Sequence, residues 1–224
     1  TQSKTGFAPN LGGNDGSLLF DFTGTDYRDM RPSVQLACAM FCNSLAYSDE
    51  GPWNTSLDWL NQELPTTKIA TTKPMFFPDG GYTLLIDSNI TVLFNIPKFK
   101  FRPSHADALH IDLWQDGVNL LGDAGSFSYA LDDEVKYFSG TESHNTVQFD
   151  GRDQMPRINR FLFGEWLEPE RMSPQGDIYA LREYGAGYTD YKSAKHYRRV
   201  SLNCQKMMVT DEVSGFKSEA VLRW

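Results

Sequence analysis

His105, Asp123 and His144 are the residues of this 224-residue chain whose types could do chemistry together. Imidazole nitrogens and a carboxylate oxygen suit a divalent cation of the zinc type, which they hold at about 2.0–2.2 Å, and three protein donors leave a fourth position open. The stretch Arg102–Trp114 reads as one strand. His105, Asp107, Leu109, Ile111 and Leu113 would then share one face, and Ala106, Ala108, His110, Asp112 and Trp114 the other. His110 is therefore expected in the core or at an interface, away from His105. Asp116-Gly117 is a strong two-residue hairpin signal, and Val118–Gly125 would run back antiparallel and bring Asp123 toward His105. A third strand, His144–Phe149, opens on a histidine and ends at the turn signal Asp150-Gly151. A hydrogen-bonded cluster without an ion is the other reading of these three side chains.

The elements that must position these residues fall into two regions. Residues 1–25 are rich in Gly, Asn, Asp and Thr and read as loop. A helix starts near Asp26–Pro32, with the proline in its first turn. Its apolar face (Val34, Leu36, Ala37, Met40, Phe41, Leu45) runs to about Ala46. Gly51-Pro52 breaks it, and Asn54 or Thr55 caps a second short helix carrying Leu57, Trp59, Leu60 and Leu64. Two helices with so few apolar positions look like the last hairpin of a larger helical domain lying upstream. Residues 1–65 are assigned to that domain.

From Thr66 the period switches to two. Expected strands are Ile69–Phe77, Tyr82–Ser88, Ile90–Ile96, the three above, Asn159–Leu167, Ile178–Tyr184, His196–Cys204, Lys206–Val213 and Glu219–Trp224. Regular turns and no intervening helices imply a mainly β fold, a large antiparallel two-sheet sandwich over residues 66–224. The final strand looks cut off midway.

Composition narrows the function classes. Forty per cent hydrophobic and 13% aromatic residues support a substantial core. A formal charge of −8 argues against a nucleic-acid binder, which needs a basic surface. Any polyanionic partner would need a local basic cleft, which Arg102, Arg152, Arg157 and Arg160 could supply unless they are solvated surface residues. Arg102 and Arg152 suit a planar anion through the guanidinium fork. Cys38, Cys42 and Cys204 form no disulfide framework, and Cys38 and Cys42 are expected to pack as small hydrophobes. No apolar run is long enough to span a bilayer.

The strings HADALHIDLWQDGVNLLGDAGSFSY and SHNTVQFDGRDQM resemble the C-terminal domain of heparinase II/III-like proteins, most strongly over residues 97–166. The resemblance implies a polysaccharide lyase acting by β-elimination on uronate-containing acidic glycans, its sandwich preceded by an α/α-toroid and its location the periplasm or cell envelope. It implies that His105, Asp123 and His144 hold a structural zinc-type ion, with Asp107 and Asn145 orienting the imidazoles. A similar loop in the family approaches the substrate, which makes Asn14 and Asp15 contact candidates. Tyr129 and Tyr137 are candidate catalytic residues lining the cleft, with a buried structural role as the other reading. His196 falls in a strand resembling a recurring HxR strand, where a structural role is expected. A further histidine commonly stands two residues before the first ligand; here that position is Pro103, which cannot transfer a proton. The base and acid of relatives come mostly from the toroid, so this stretch alone is expected to be inactive. A catalytically silent carbohydrate-binding or structural module is the alternative, and hydrolysis at an open metal site a third.

Overall fold

The computed structural model describes residues 6–13, 16–17, 20–69, 73–96, 98–99, 101–172 and 180–224. The chain divides into two compact units, Thr1–Ala8 with Gly16–Thr72, and Pro9–Asp15 with Lys73–Trp224. In the first, helix α1 spans Arg31–Cys42 with Pro32 in its first turn. It stops short of Ala46 because Asn43 takes a left-handed conformation (φ 46°) and turns the chain away. The fully buried Gln35 holds the segment that follows. Its carbonyl oxygen accepts the N–H groups of Ala46 and Tyr47, and its amide donates to Tyr47 O and Asn54 Oδ1. A 3-10 turn, Pro52–Asn54, leads into the short helix α2, Thr55–Trp59, whose Leu57 is buried. Cys38 is partly exposed and Cys42 exposed, so Cys42 does not pack as a core residue as expected. No helix among the described residues is long and apolar enough to cross a membrane.

The second unit carries the sandwich. Strands β1 (Met75–Phe77), β2 (Tyr82–Asp87), β3 (Ile90–Asn95), β4 (Ile111–Gln115) and β5 (Val118–Leu121) form one antiparallel sheet in that order. Asp116 and Gly117 both have positive φ (52° and 77°), as the primed hairpin turn between β4 and β5 requires. Helix α3 (Asp132–Ser139) follows, then β6 (Val147–Phe149) and the small hairpin β7 (Arg157–Asn159) with β8 (Leu162–Phe163). The second large sheet is β9 (Glu170–Arg171), β10 (Glu183–Thr189), β11 (Lys195–Asn203) and β12 (Lys206–Ser214), in the order β12-β11-β10-β9. Strand β13 (Ala220–Leu222) pairs antiparallel with β6. Leu85, Val92 and Phe94 of the first sheet share one hydrophobic cluster with Tyr184, Ala186, Val200 and Leu202 of the second. Burying each large apolar side chain contributes about 1.5–3 kcal/mol and fixes which face of each strand turns inward.

Besides Asn159–Leu167, which is not one strand but is broken by the turn of the β7–β8 hairpin, two expectations fail here. Arg102–Trp114 is not one strand: β4 begins only at Ile111, and the stretch before it is irregular. Leu109 takes φ 63°, which no strand allows. Between Ala106 and Ala108, backbone groups bond outside any ladder. Ala106 N–H donates to Ser139 O and its carbonyl accepts from Thr141 Oγ1. Ala108 N–H donates to Gln154 Oε1, and its carbonyl accepts from Gln154 Nε2 and Thr146 Oγ1. The second failure is α3, an intervening helix in a region expected to hold only strands. Three acidic residues, Asp132, Asp133 and Glu134, occupy its first turn, where the helix dipole favours negative charge.

Candidate metal centre

The segment Ser104–His110, the stretch after β5, and the chain just before β6 converge on one buried point. His105, Asp123 and His144 each offer a ligand atom there, all within 4.8 Å of one another. His105 and His144 are 3% and 1% exposed, and their ring centroids lie 5.2 Å apart. Nδ1 of His144 lies 2.9 Å from Oδ2 of Asp123. The other carboxylate oxygen is occupied, accepting from Asn10 Nδ2 at 3.1 Å and Gly125 N–H at 2.8 Å. Among the described residues, Nδ1 of His105 and Nε2 of His144 have no hydrogen-bond partner although buried. Buried imidazole nitrogens without partners, on rings gathered around a carboxylate, fit a divalent cation.

The electrostatics suit that use. Burial pushes His105 down to about 4, with the neighbouring His144 adding to the effect, so the ring is the neutral species that metals bind. Burial alone would raise Asp123, yet the hydrogen bond and charge of His144, helped by His110 and His105, hold it below the carboxylate range. His144 is disfavoured as a cation by burial but lifted overall by Asp123.

His110, expected on the opposite face, belongs to this cluster. Its ring meets that of His144 edge-on at 5.5 Å, and its Nε2 lies 4.0 Å from Asp123 Oδ2. The irregular path through Leu109 turns it inward. Its Nδ1 accepts Asn145 N–H at 3.0 Å, so the neutral ring carries its proton on Nε2, toward Asp123. Asn10 and His110 lacked any motif of their own; sequence reasoning missed them because both act through contacts distant in sequence. Asp107, expected to orient an imidazole, instead accepts from Asn95 Nδ2 at 2.8 Å, and burial raises it to about 6. The Asn145 side-chain amide donates to Ile111 O at 2.9 Å and Gly122 O at 3.2 Å and ties backbone segments together, so Asn145 meets a ring, that of His110, through its backbone N–H and not through its side chain.

A cavity of about 300 Å³ opens beside His105, lined by Arg102, Pro103, Ser126, Tyr129 and Arg160 among others. Ser126 Oγ lies 3.3 Å from His105 Nε2. A second cavity of about 250 Å³ shares Arg102, Pro103, Ser104 and His105 and adds Lys98 and Tyr82. Arg160 donates to Tyr129 O at 3.1 Å and pairs with Asp132. Arg152 lies elsewhere, paired with Asp190 and stacked over Tyr191. Tyr137, on α3, is 49% exposed, packs edge-on against Phe138 and lines neither cavity. Asn14 and Asp15 lie outside the described residues.

A family profile described as heparinase II/III-like, C-terminal, matches residues 70–224. No curated protein matches the chain by sequence. Among solved structures, it is similar to a heparinase III gene product with methylated lysines, at 18% identity and TM-score 0.62, over 95% of this chain and 30% of that one. It is also similar to the heparan sulfate lyase HepC from Pedobacter heparinus, at 16% identity and TM-score 0.56, over 93% and 30% of the two chains. A structure described as heparinase III matches at 16% identity and TM-score 0.57, over 93% and 32%. At these identities the likeness is one of fold. The chain spans about three tenths of the length of these proteins.

Proposed function

Because the chain belongs to the heparinase II/III-like family, whose C-terminal domain it carries over residues 70–224, we propose that it is the sandwich portion of a polysaccharide lyase. Its substrates are uronate-containing acidic glycans, cleaved by β-elimination. The observation that carries this reading is the cavity lined by Arg102, Arg160, Tyr129 and His105, the last a member of the buried His/Asp/His cluster. Elimination removes the proton at C5, forms the C4–C5 double bond and expels O4, which takes up a proton. A carboxylate left charged would oppose the developing enolate, so cationic and hydrogen-bonding groups facing it lower the barrier most. Arg102 and Arg160 are the cations for that carboxylate or a neighbouring sulfate. We assign Tyr129, which lines the cavity, to proton transfer and keep Tyr137 as the second candidate. Arg152, Asn14 and Asp15 would serve as outlying contacts.

His105, Asp123 and His144 would hold a zinc-type ion that braces the loop forming the cavity wall. Three buried protein donors fit such a structural part. The first unit, with its short helices, would belong to an upstream helical toroid that supplies the remaining acid–base groups, and the protein would work in the periplasm or cell envelope. Pro103 in the cavity wall favours one competing reading, a catalytically silent glycan-binding module, because proline can neither accept nor donate the proton.

Incubating the full-length protein with heparan sulfate, alginate and other uronate polymers, and following the ultraviolet absorbance of an unsaturated uronate, separates the readings. Absorbance growing with time supports the lyase. Retained binding without absorbance on any polymer supports the module, and new reducing ends without absorbance point to a hydrolase.

A further inference from the structure

We propose that Arg198 is the positioning residue of the His105/Asp123/His144 centre, gripping through two backbone carbonyls the segments that carry its histidines. The inference rests on the metal reading above. Arg198 is on the inward face of β11, 0% exposed, in the same row as Val200 and Leu202. A guanidinium buried this deeply persists only where its donors meet acceptors. Its Nε donates to Asp211 Oδ1 at 2.6 Å and one terminal nitrogen to Oδ2 at 3.0 Å, which neutralises the charge. The other terminal nitrogen donates to two carbonyls, Leu109 O at 2.9 Å and Asn145 O at 2.6 Å.

Those two carbonyls belong to neighbours of the site's histidines. Leu109 precedes His110 and holds the left-handed conformation that turns the loop inward, a state that a leucine keeps only when its surroundings impose it. Asn145 follows His144, gives its N–H to His110 Nδ1, and ties Ile111 O to Gly122 O, one residue before Asp123. One rigid planar fork therefore sets the separation of the loop before β4 and the chain before β6, the two segments bearing His105, His110 and His144. A lysine offers a single point charge on a flexible stem and can serve Asp211 or the carbonyls, not both sides at once.

The test titrates Co²⁺ into the metal-free full-length protein, reading affinity against a competing chelator and the visible absorption of the bound ion. Arg198→Lys and Arg198→Met are compared with Val200→Ala, a core truncation on the same strand with no hydrogen bond to the site. Arg198→Lys and Arg198→Met are expected to lose about tenfold to a hundredfold in affinity, the usual effect of removing support behind a ligand, and to alter the absorption. Val200→Ala is expected to lower the melting temperature while leaving both unchanged. Wild-type affinity and absorption in either Arg198 variant, or an equal loss in Val200→Ala, overturns the proposal. Should neither Arg198 variant fold, Asp211→Asn, which loosens the guanidinium from behind, is judged by the same two readouts. If the wild type binds no Co²⁺, the metal reading fails, and the clamp is judged on ring-nitrogen NMR of metal-free His110. A proton on Nε2 in the wild type and a tautomer mixture in Arg198→Lys sustain it; an unchanged tautomer in Arg198→Lys overturns it.

Discussion

Asn10 and Asp123, 113 positions apart, meet through a hydrogen bond of 3.1 Å from the amide to Oδ1. With Gly125 N–H on the same oxygen, the carboxylate is held so that Oδ2 faces His144. Asn10→Ala removes one of two anchors and leaves the three proposed ligands intact. Metal affinity measured against a chelator should fall about tenfold, in the range for supporting partners. Unchanged affinity would show that Gly125 suffices.

Loss of the ion itself should show as loss of stability. An ion present at a hundred times its dissociation constant stabilises the folded chain by about 2.7 kcal/mol. Chelation should lower the melting temperature of the wild type and leave His105→Ala and His144→Ala unmoved. Elemental analysis should find near-stoichiometric metal in the first and none in the variants. Equal metal content in all three would end the assignment.

Asp211 gives a pH signature on the second sheet. Burial would raise its pKa, but the hydrogen bonds from His196 and Arg198 hold it at about 2, below the 3.8 of the unfolded chain. A depressed carboxylate contributes stability above the unfolded value and loses it as pH falls through the folded one. The contribution, on the order of 2 kcal/mol, should therefore vanish between about pH 4 and pH 2. Urea midpoints of wild type and Asp211→Asn should differ near neutrality and draw together across that window. A constant gap would refute the linkage.

The arginines should separate in binding. Arg102 lines both cavities and has no ion pair or hydrogen bond among the described residues, whereas Arg160 is already engaged with Asp132 and Tyr129 O. Arg102→Ala should weaken the affinity of the full-length protein for uronate polymers about tenfold, as loss of a charge-assisted contact does, and Arg160→Ala less. Arg152→Ala should lower stability and weaken affinity least of the three, because Arg152 is paired with Asp190 and lines neither cavity. Calorimetric titration reads all three; an equal loss in Arg152→Ala would put the binding surface elsewhere.

Gly81 tests the first sheet. It has φ 75°, and a Cβ there would lie 2.2 Å from Ile96 O, a backbone atom unable to swing aside. Gly81→Ala should cost about 3 kcal/mol or more, combining left-handed strain with a clash in the turn joining β1 to β2. A denaturant midpoint close to wild type would contradict this.

The sheets were readable where turn chemistry and alternation agreed. Asp116-Gly117 marks the β4–β5 hairpin, and the inward row His196, Arg198, Val200 and Leu202 follows the period of two along β11. Reading failed at Arg102–His110, where the alternation is accidental. Its backbone bonds to Ser139, Thr141, Thr146 and Gln154, partners 30 or more residues away that no local pattern announces. The types of the three clustered residues were legible, but their convergence was reached through a strand that does not exist. His110 was misplaced for the same reason. Helix α3 does carry a local signal, three acids opening a segment with Val135 and Phe138 at helical spacing, but eight residues between strands make it a short one.

That irregular loop is stitched down by the side chains of Thr141, Thr146 and Gln154 and by the backbone carbonyl of Ser139, and owes nothing to sheet register between Ala106 and Ala108. In a strand, inserting one residue reverses every facing beyond it. Here an added or deleted residue near Arg102 or Pro103 would be absorbed locally, with β3 and β4 still aligned. The wall of the cavity can therefore be reshaped over evolutionary time without renegotiating the sandwich beneath it.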